Sequence, residues 1–323
     1  MIAISDDLKH KINNIPPLPG IYKMLDSRGN IIYVGKSKCL KKRVKSYFMK
    51  DHKWEKVKKM VALIRDIDYI VTDTHLDARL LECSLIKTIQ PPFNAQMKND
   101  SRYAYLQVKE YNPHNALAVV HERCAYSYGP LRSKHMLLEL TQLLKNLYPI
   151  HFDGDRYEFT YHIFPITMDK DTFEQNQKVL IDLFTSEEKL NLMVQQLRDK
   201  MITAASTYHY ENASIYRDII HGLEYVKHGI NGYRNLFSKK LVLRVPTQDG
   251  IKLFYINAGN ILLTKKYKRI SSLDKYLKNF IEKGNAIKYS NTMKINDKAS
   301  IDYRDILYSE INSLPEDMIV FVE

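Results

Sequence analysis

The run LPGIYKMLDSRGNIIYVGKSKCLKKRVKSYF at residues 18–48 decides the fold. Residues 20–25 (GIYKML) and 31–35 (IIYVG) are rich in β-branched and aromatic side chains. Asp26-Ser27-Arg28-Gly29 between them has strong turn chemistry, so the stretch predicts a β-hairpin. With those four residues as the loop, Leu25 pairs with Asn30 and Tyr22 falls directly opposite Tyr33 on one face. Downstream, Leu40, Val44 and Phe48 recur at spacing four, and Val57, Val61 and Ile64 at four then three. Both patterns predict short amphipathic helices with lysine-rich outer faces. A third short strand is expected over 68–73 (DYIVTD), then a helix over 76–89 with Leu81, Leu85 and Ile89 in a stripe, stopped by Pro91-Pro92. The order is β-β-α-α-β-α, a mixed α/β (α+β) unit around a small antiparallel sheet.

Outward from this unit, the 323 residues exceed what one compact domain usually needs. The patterns predict a first unit at 1–100 and a connecting region at 101–170, with strand-like stretches at 103–108 and 117–120 and a helix at 136–147. A helical hairpin is expected at 171–235, built on 190–201 and 210–226. A small α+β unit is expected at 236–323, with strands at 241–245, 252–256 and 261–267, a turn at 257–260 and a helix near 273–282. With 45% hydrophobic residues the chain can build real cores. No apolar stretch reaches the roughly 18 residues that would cross a bilayer. The N-terminal MIAISDDLKHK has two acidic residues where a secretion signal needs a basic flank, which leads to the expectation of a cytoplasmic protein. Cys39, Cys83 and Cys124 are isolated and provide neither a disulfide framework nor a paired-cysteine metal site.

Charge is the first functional signal. Lys and Arg exceed Asp and Glu by 49 − 37 = 12, which suggests a polyanionic partner. Residues 1–100 hold 19 basic and 11 acidic side chains, and residues 36–59 alone hold 11 basic ones against Asp51 and Glu55. The phosphate-cradling loop, the glycine-rich dinucleotide fingerprint, the paired-histidine zinc motif and the serine-hydrolase elbow are all missing from the sequence. His221 and His228, seven apart, lack a third metal ligand.

The remaining signal is an ordered set: GIY at 20–22, YVGK at 33–36, Arg43, Tyr47, Glu82 and Asn94. It is carried by LPGIYKM (18–24), IIYVGKSKCLKKRVKSYF (31–48) and ARLLECSLIKTIQPPFN (78–94). This set resembles the GIY-YIG nuclease family, in particular the excision-repair nucleases of the UvrC and Cho type. Tyr128-Gly129-Pro130 followed by Ser133 is similar to the segment after the nuclease domain of that family, and residues 201–223 (MITAASTYHYENASIYRDIIHGL) resemble its UVR helical hairpin.

The resemblance implies metal-assisted hydrolysis of a DNA phosphodiester. Glu82 then offers a carboxylate to one Mg²⁺ or Mn²⁺ ion, with water and phosphate oxygens completing the coordination. Tyr33 takes a proton from the attacking water, which requires nearby cations to lower a phenol that normally titrates near 10. Lys36 and Arg43 are those cations; Arg43 also places planar donors on the phosphate, and Lys36 orients Tyr33 and the water. Tyr22 is the partner phenol, Tyr47 binds phosphate or holds the arginine, and Asn94 braces the site or contacts DNA. Lys38, Lys41, Lys42 and Lys45 extend the basic face toward DNA phosphates. The competing structural role for Glu82 is an i, i+3 pair with Arg79.

Departures from the family narrow the expectation. Residues 125–323 contain no cysteine, so the iron-sulfur centre found in UvrC proteins is not expected. The stretch after the hairpin is too short for a second nuclease plus helix-hairpin-helix motifs, which leaves one incision, 3′ to a lesion in damaged DNA. The UVR-like stretch implies docking to a UvrB-like protein, or else a hairpin that only spaces domains. Two rivals remain open at this level: a non-cutting DNA-docking or partner-docking protein on a nuclease scaffold, and a mobile-element GIY-YIG endonuclease that reads sequence.

Overall fold

The hairpin forms as β1 (Gly20–Leu25) and β2 (Ile31–Ser37) in the computed structural model, which describes residues 5–49, 54–98, 103–231, 239–268, 273–288 and 298–322. Its register differs from the expected one. Tyr22 faces Gly35, Tyr33 faces Met24 and Leu25 faces Ile31, with an irregularity between Met24 and Leu25. One residue of the offset comes from the loop, which runs on through Asn30, and the second from the irregularity between Met24 and Leu25. Asp26 Oδ1 accepts the N–H groups of Arg28 (2.8 Å) and Asn30 (2.9 Å), while the Asp26 N–H donates to the Asn30 carbonyl at 3.0 Å. A two-residue offset preserves the face, so Tyr22 and Tyr33 become diagonal neighbours instead of direct partners.

β3 (Asp66–Val71) pairs antiparallel with the other edge of β1, giving the order β2-β1-β3. An unanticipated helix, α1 (Asp6–Asn14), precedes the sheet: Ser5 caps it, Asp6 and Asp7 sit in its first turn, and Leu8 and Ile12 are buried. The expected helices follow as α2 (Leu40–Met49), α3 (Glu55–Leu63) and α4 (His75–Ile89). Leu8, Ile12, Leu40, Val44, Phe48, Met60 and Val61 from α1, α2 and α3 share one core with Tyr22 and Met24 of β1. Gly20 is required by close approach: a Cβ there would lie 2.2 Å from the Ile70 carbonyl oxygen of β3.

The chain divides into two compact units, one formed by Met1–Asp100, Leu236–Ile295 and Ala299–Glu323, the other by Ser101–Asn235 and Asn296–Lys298. The second contains the antiparallel sheet β5-β4-β6, made of β4 (Ala104–Val108), β5 (Leu117–Val120) and β6 (Ser127–Leu131), and the small ribbon β7 (His151–Phe152) with β8 (Tyr157–Glu158). Four helices complete it: α5 (Lys134–Leu144), α6 (Lys170–Thr185), α7 (Glu187–Ser206) and α8 (Tyr210–Asn231). Ser133, from the YGP-containing motif, caps α5, and its N–H donates to the Tyr225 hydroxyl of α8 at 2.6 Å. The helix expected at 136–147 thus starts two residues earlier and finishes as a 3₁₀ turn, Lys145–Leu147. Residues 207–209 separate α7 from α8, which places the expected helical hairpin over its predicted stretch. Among the described residues no helix is long and apolar enough to cross a membrane.

The final part of the chain belongs to the first unit. β9 (Lys240–Thr247), β10 (Gly250–Asn257) and β11 (Asn260–Lys268) form the expected strands, and α9 (Leu273–Asn285) the expected helix. Two further elements were not anticipated, α10 (Lys298–Ser313) and β12 (Ile319–Val322), which completes the sheet order β11-β10-β9-β12. Leu76 and Cys83 of α4 share a core with Leu241, Leu243, Phe254 and Leu307 of this region. On its other side α4 lies against β1 and β2. The helix that carries Glu82 is therefore held between two sheets.

Gly20→Ala is expected to cost about 1–3 kcal/mol, because the atom it meets is backbone and cannot rotate away. A urea denaturation curve checks this, and an unchanged midpoint contradicts it.

Candidate active site

Four elements converge on a cleft of about 630 Å³ lined by Tyr22, Tyr33, Lys36, Arg43 and Glu82. Two phenols line it, and Tyr47 packs against both of them. The ring centroids of Tyr22, Tyr33 and Tyr47 lie 6.0 to 6.3 Å from one another. Tyr22 is fully buried, and its hydroxyl lies 2.9 Å from that of Tyr47. The register explains how it fits: Tyr22 lies across Gly35, where any Cβ would sit 2.4 Å from the phenolic oxygen. Both motif glycines are thus answers to close contact, one with backbone and one with a phenol.

Arg43, on α2, joins the phenols. Its Nη2 donates to Tyr47 at 3.0 Å and its Nε to Tyr22 at 3.4 Å, while the guanidinium carbon stands 4.9 Å from the Tyr47 ring centroid. Of the two roles open to Tyr47, the geometry realises the arginine-holding one. The helical spacing of four makes this possible.

Glu82 is buried at 8% exposure and is met by Lys36 twice: the backbone N–H donates to Oε1 at 3.1 Å and Nζ to Oε2 at 2.8 Å. Arg79 does not neutralise Glu82; its Nη1 pairs with Glu310 of α10 at 2.9 Å. Asn94 acts as a brace. Its Oδ1 accepts the Val34 N–H and its Nδ2 donates to the Val34 carbonyl, both at 2.9 Å, and the Phe93 N–H donates to the Ile32 carbonyl at 3.0 Å. Residues 93 and 94 thereby cover the outer edge of β2.

The phenols depart from the expected electrostatics. The Tyr33 pKa is pushed up, first by burial and then by Tyr47 and Glu82, with Arg43 pulling the other way. That of Tyr22 is pushed well up, by burial and by its two phenol neighbours, again against Arg43. On balance the cations therefore do not lower these phenols: Lys36 pairs with Glu82, and burial outweighs Arg43.

Of the lysines expected to face DNA, Lys38 lines the cleft, whereas Lys41, Lys42 and Lys45 lie along α2 away from it. Two titratable lining residues were missed. Lys56, at the start of α3, belongs to the same basic run and could have been found there. His75, the first residue of α4, had no sequence signal; burial, then Lys38, Arg79 and Lys36, push its pKa down to about 4, so the cleft contains a neutral imidazole at neutral pH.

Residues 18–95, which hold the first sheet together with α2, α3 and α4, match the UvrC-like GIY-YIG domain family. The particular relatives are named UvrABC system protein C. That of Caldanaerobacter subterraneus subsp. tengcongensis is 33% identical over 235 residues, covering 68% of this chain and 38% of the relative. That of Desulfitobacterium hafniense is 28% identical over 328 residues, covering 97% of this chain and 50% of the relative. The chain thus spans about half or less of the length of these relatives. Among solved structures, the GIY-YIG N-terminal endonuclease domain of UvrC from Thermotoga maritima, bound to its catalytic divalent cation, magnesium, is 32% identical. It covers 28% of this chain and 100% of that chain, with a TM-score of 0.26. A tyrosine-to-phenylalanine point mutant of the same domain, also bound to the catalytic divalent cation, is 30% identical with a TM-score of 0.27, covering 29% of this chain and 100% of its own.

The raised phenols are directly measurable. In ¹³C NMR of protein labelled at tyrosine Cζ, Tyr22 and Tyr33 are expected to stay neutral at about pH 10, where ordinary tyrosines are half ionised. Arg43→Met is expected to raise both midpoints further. Ordinary midpoints for both rings contradict the burial account.

Proposed function

We propose that this chain is a divalent-metal-dependent DNA endonuclease that makes a single incision, 3′ to the damage, in nucleotide excision repair in the cytoplasm. The observation that carries this reading is the convergence of Tyr22, Tyr33, Arg43 and the Lys36–Glu82 pair in one cleft, with Tyr47 hydrogen-bonded to Arg43 behind them.

The donor chemistry fits a hard cation. Among the described residues no group of three or more His, Cys, Asp or Glu side chains gathers, so Glu82 would hold the ion with water and phosphate oxygens, an arrangement suited to Mg²⁺ or Mn²⁺. Such an ion supplies Lewis-acid stabilisation of charge at the scissile phosphate. The chain's own groups do the rest. Tyr33, once it has given up its own proton to solvent, takes the proton of the attacking water. Arg43, oriented by Tyr22 and Tyr47, donates to the phosphate oxygens as charge builds on them. Lys36, on leaving Glu82, orients the water and Tyr33. Asn94 keeps β2, and with it Tyr33 and Lys36, in place.

DNA is met first by Lys38 and Lys56 at the cleft and beyond it by Lys41, Lys42 and Lys45 along α2, so affinity falls steeply with salt. The α7–α8 hairpin is the docking element for a UvrB-like protein. Around its turn it exposes Ile202, Tyr208 (79% exposed) and Tyr210, apolar surface of the kind that partners cover. The shared system name of the relatives supports this assignment.

Glu82→Ala is expected to abolish nicking of supercoiled plasmid with Mg²⁺ or Mn²⁺ while circular dichroism and DNA binding persist; a variant that still nicks removes Glu82 from the site. Tyr33→Phe is expected to lower kcat by about 10²- to 10⁴-fold. With a raised phenol as base, log kcat of the wild type rises across roughly pH 7 to 9 and flattens in Tyr33→Phe. A flat wild-type profile assigns the base elsewhere. Cleavage of an end-labelled, lesion-bearing duplex with and without a UvrB-type loader tests polarity and partner together: cutting on the 5′ side, or equal cutting of undamaged duplex, contradicts the repair reading.

A further inference from the structure

The helix that presents Glu82 is tied to the C-terminal part of the chain by charge at three points along its length. Lys252 Nζ of β10 meets Asp77 Oδ1 at 3.0 Å and Oδ2 at 3.1 Å, and also Asp73 at 3.0 Å, just before α4 begins. Arg79 pairs with Glu310 at 2.9 Å, and Lys87 with Asp302 at 3.0 Å; both acids lie on α10. The C-terminal partners are mostly buried, with side-chain exposures of 14% for Lys252, 11% for Glu310 and 5% for Asp302. Between the charged points, Leu76 and Cys83 are packed completely under Leu241, Leu243, Phe254 and Leu307.

Buried ion pairs contribute little net stability, because desolvation offsets their attraction, but they are intolerant of misregister, since any slip strands a charge. Asp77 to Lys87 span about 15 Å of helix, with Glu82 between them. Three such pairs fix the rotation and the height of α4 at once, which apolar packing alone does far less well.

We propose that the C-terminal α+β region, residues 239–322, is the positioning element for the Glu82 carboxylate, acting through Lys252, Glu310 and Asp302. This rests on the reading of Glu82 as the ion-holding group. Neither acid touches the reacting atoms. Both set where α4 places its carboxylate relative to Tyr33 and Arg43, and a misplacement of 1 Å at such a site can cost about 100-fold in rate.

The test uses the full chain and reads Mn²⁺ affinity by electron paramagnetic resonance, kcat and KM on a labelled duplex, and the thermal midpoint. Glu310→Gln keeps shape and hydrogen bonding while removing the charge. It is expected to weaken Mn²⁺ binding about tenfold and to lower kcat with little change in KM for DNA. The exchange Arg79→Glu with Glu310→Arg is expected to restore most of both. Should Glu310→Gln fail to fold, the apolar pair Arg79→Met with Glu310→Met removes the register without stranding a charge, and it is expected to fold with the same loss of ion affinity. Unchanged Mn²⁺ affinity and kcat in whichever variant folds, or a loss in Glu310→Gln that the exchange does not reverse, overturns the proposal. Glu82→Ala is the control that separates the two readings. If it still binds Mn²⁺, the ion-site reading has failed; if it loses the ion while Glu310→Gln keeps it, only the positioning role has failed.

Discussion

The structure of the site depends on one contact, the double embrace of Glu82 by Lys36. A carboxylate buried this deeply is costly without a partner, and Lys36 provides two from a single residue, a backbone N–H and an ammonium. The contact joins β2, which carries Tyr33, to α4, which carries the acid. The hairpin and the helix lie far apart in sequence, and this link sets the phenols and the carboxylate in a common frame. It also presents the acid already desolvated and paired with a single positive charge, on a flexible side chain.

The phenols follow a matching logic. Packing Tyr22 over Gly35 and Tyr47 under Arg43 buries both rings and fixes where their hydroxyls point. The burial that raises Tyr22 and Tyr33 also sharpens every electrostatic interaction brought into the cleft. The resting chain is thus an under-charged site. It has one guanidinium for three phenols and one ammonium for one carboxylate, and a basic approach surface supplied by Lys38 and Lys56.

The parts of this arrangement legible in the sequence are those governed by local rules. The spacing of Leu40, Val44 and Phe48 fixed α2, Arg43 and Tyr47 were bound to meet one turn apart, and the strand patterns marked the hairpin and most of the final sheet. The helix α1 was also readable, from Ser5, Asp6 and Asp7 ahead of Leu8 and Ile12, because a capped, acid-led first turn is a local signature. The misreadings have nonlocal or fine-grained causes. The Asp26 side chain captured two loop N–H groups and extended the turn by one residue, and the irregularity between Met24 and Leu25 added a second, which together moved the cross-strand register by two. The partner of Arg79 is 231 residues away, so the nearer Glu82 looked like the natural candidate. The basic run was legible as a composition, but it could not say that Lys38 and Lys56 line the cleft while Lys41, Lys42 and Lys45 do not. That depends on how α2 and α3 rotate on the sheet. His75 enters the cleft only because α4 begins there.

The central claim is that the buried acid opposite Tyr33 exists to hold a divalent ion, with Lys36 as its partner in the ion-free chain. Anomalous diffraction from crystals of the full chain soaked in Mn²⁺ tests it most directly. The account predicts one peak within about 2.2 Å of a Glu82 carboxylate oxygen, with the Lys36 ammonium displaced from its position at Oε2. A Glu82 still clasped by Lys36, with manganese bound elsewhere or nowhere, would contradict it.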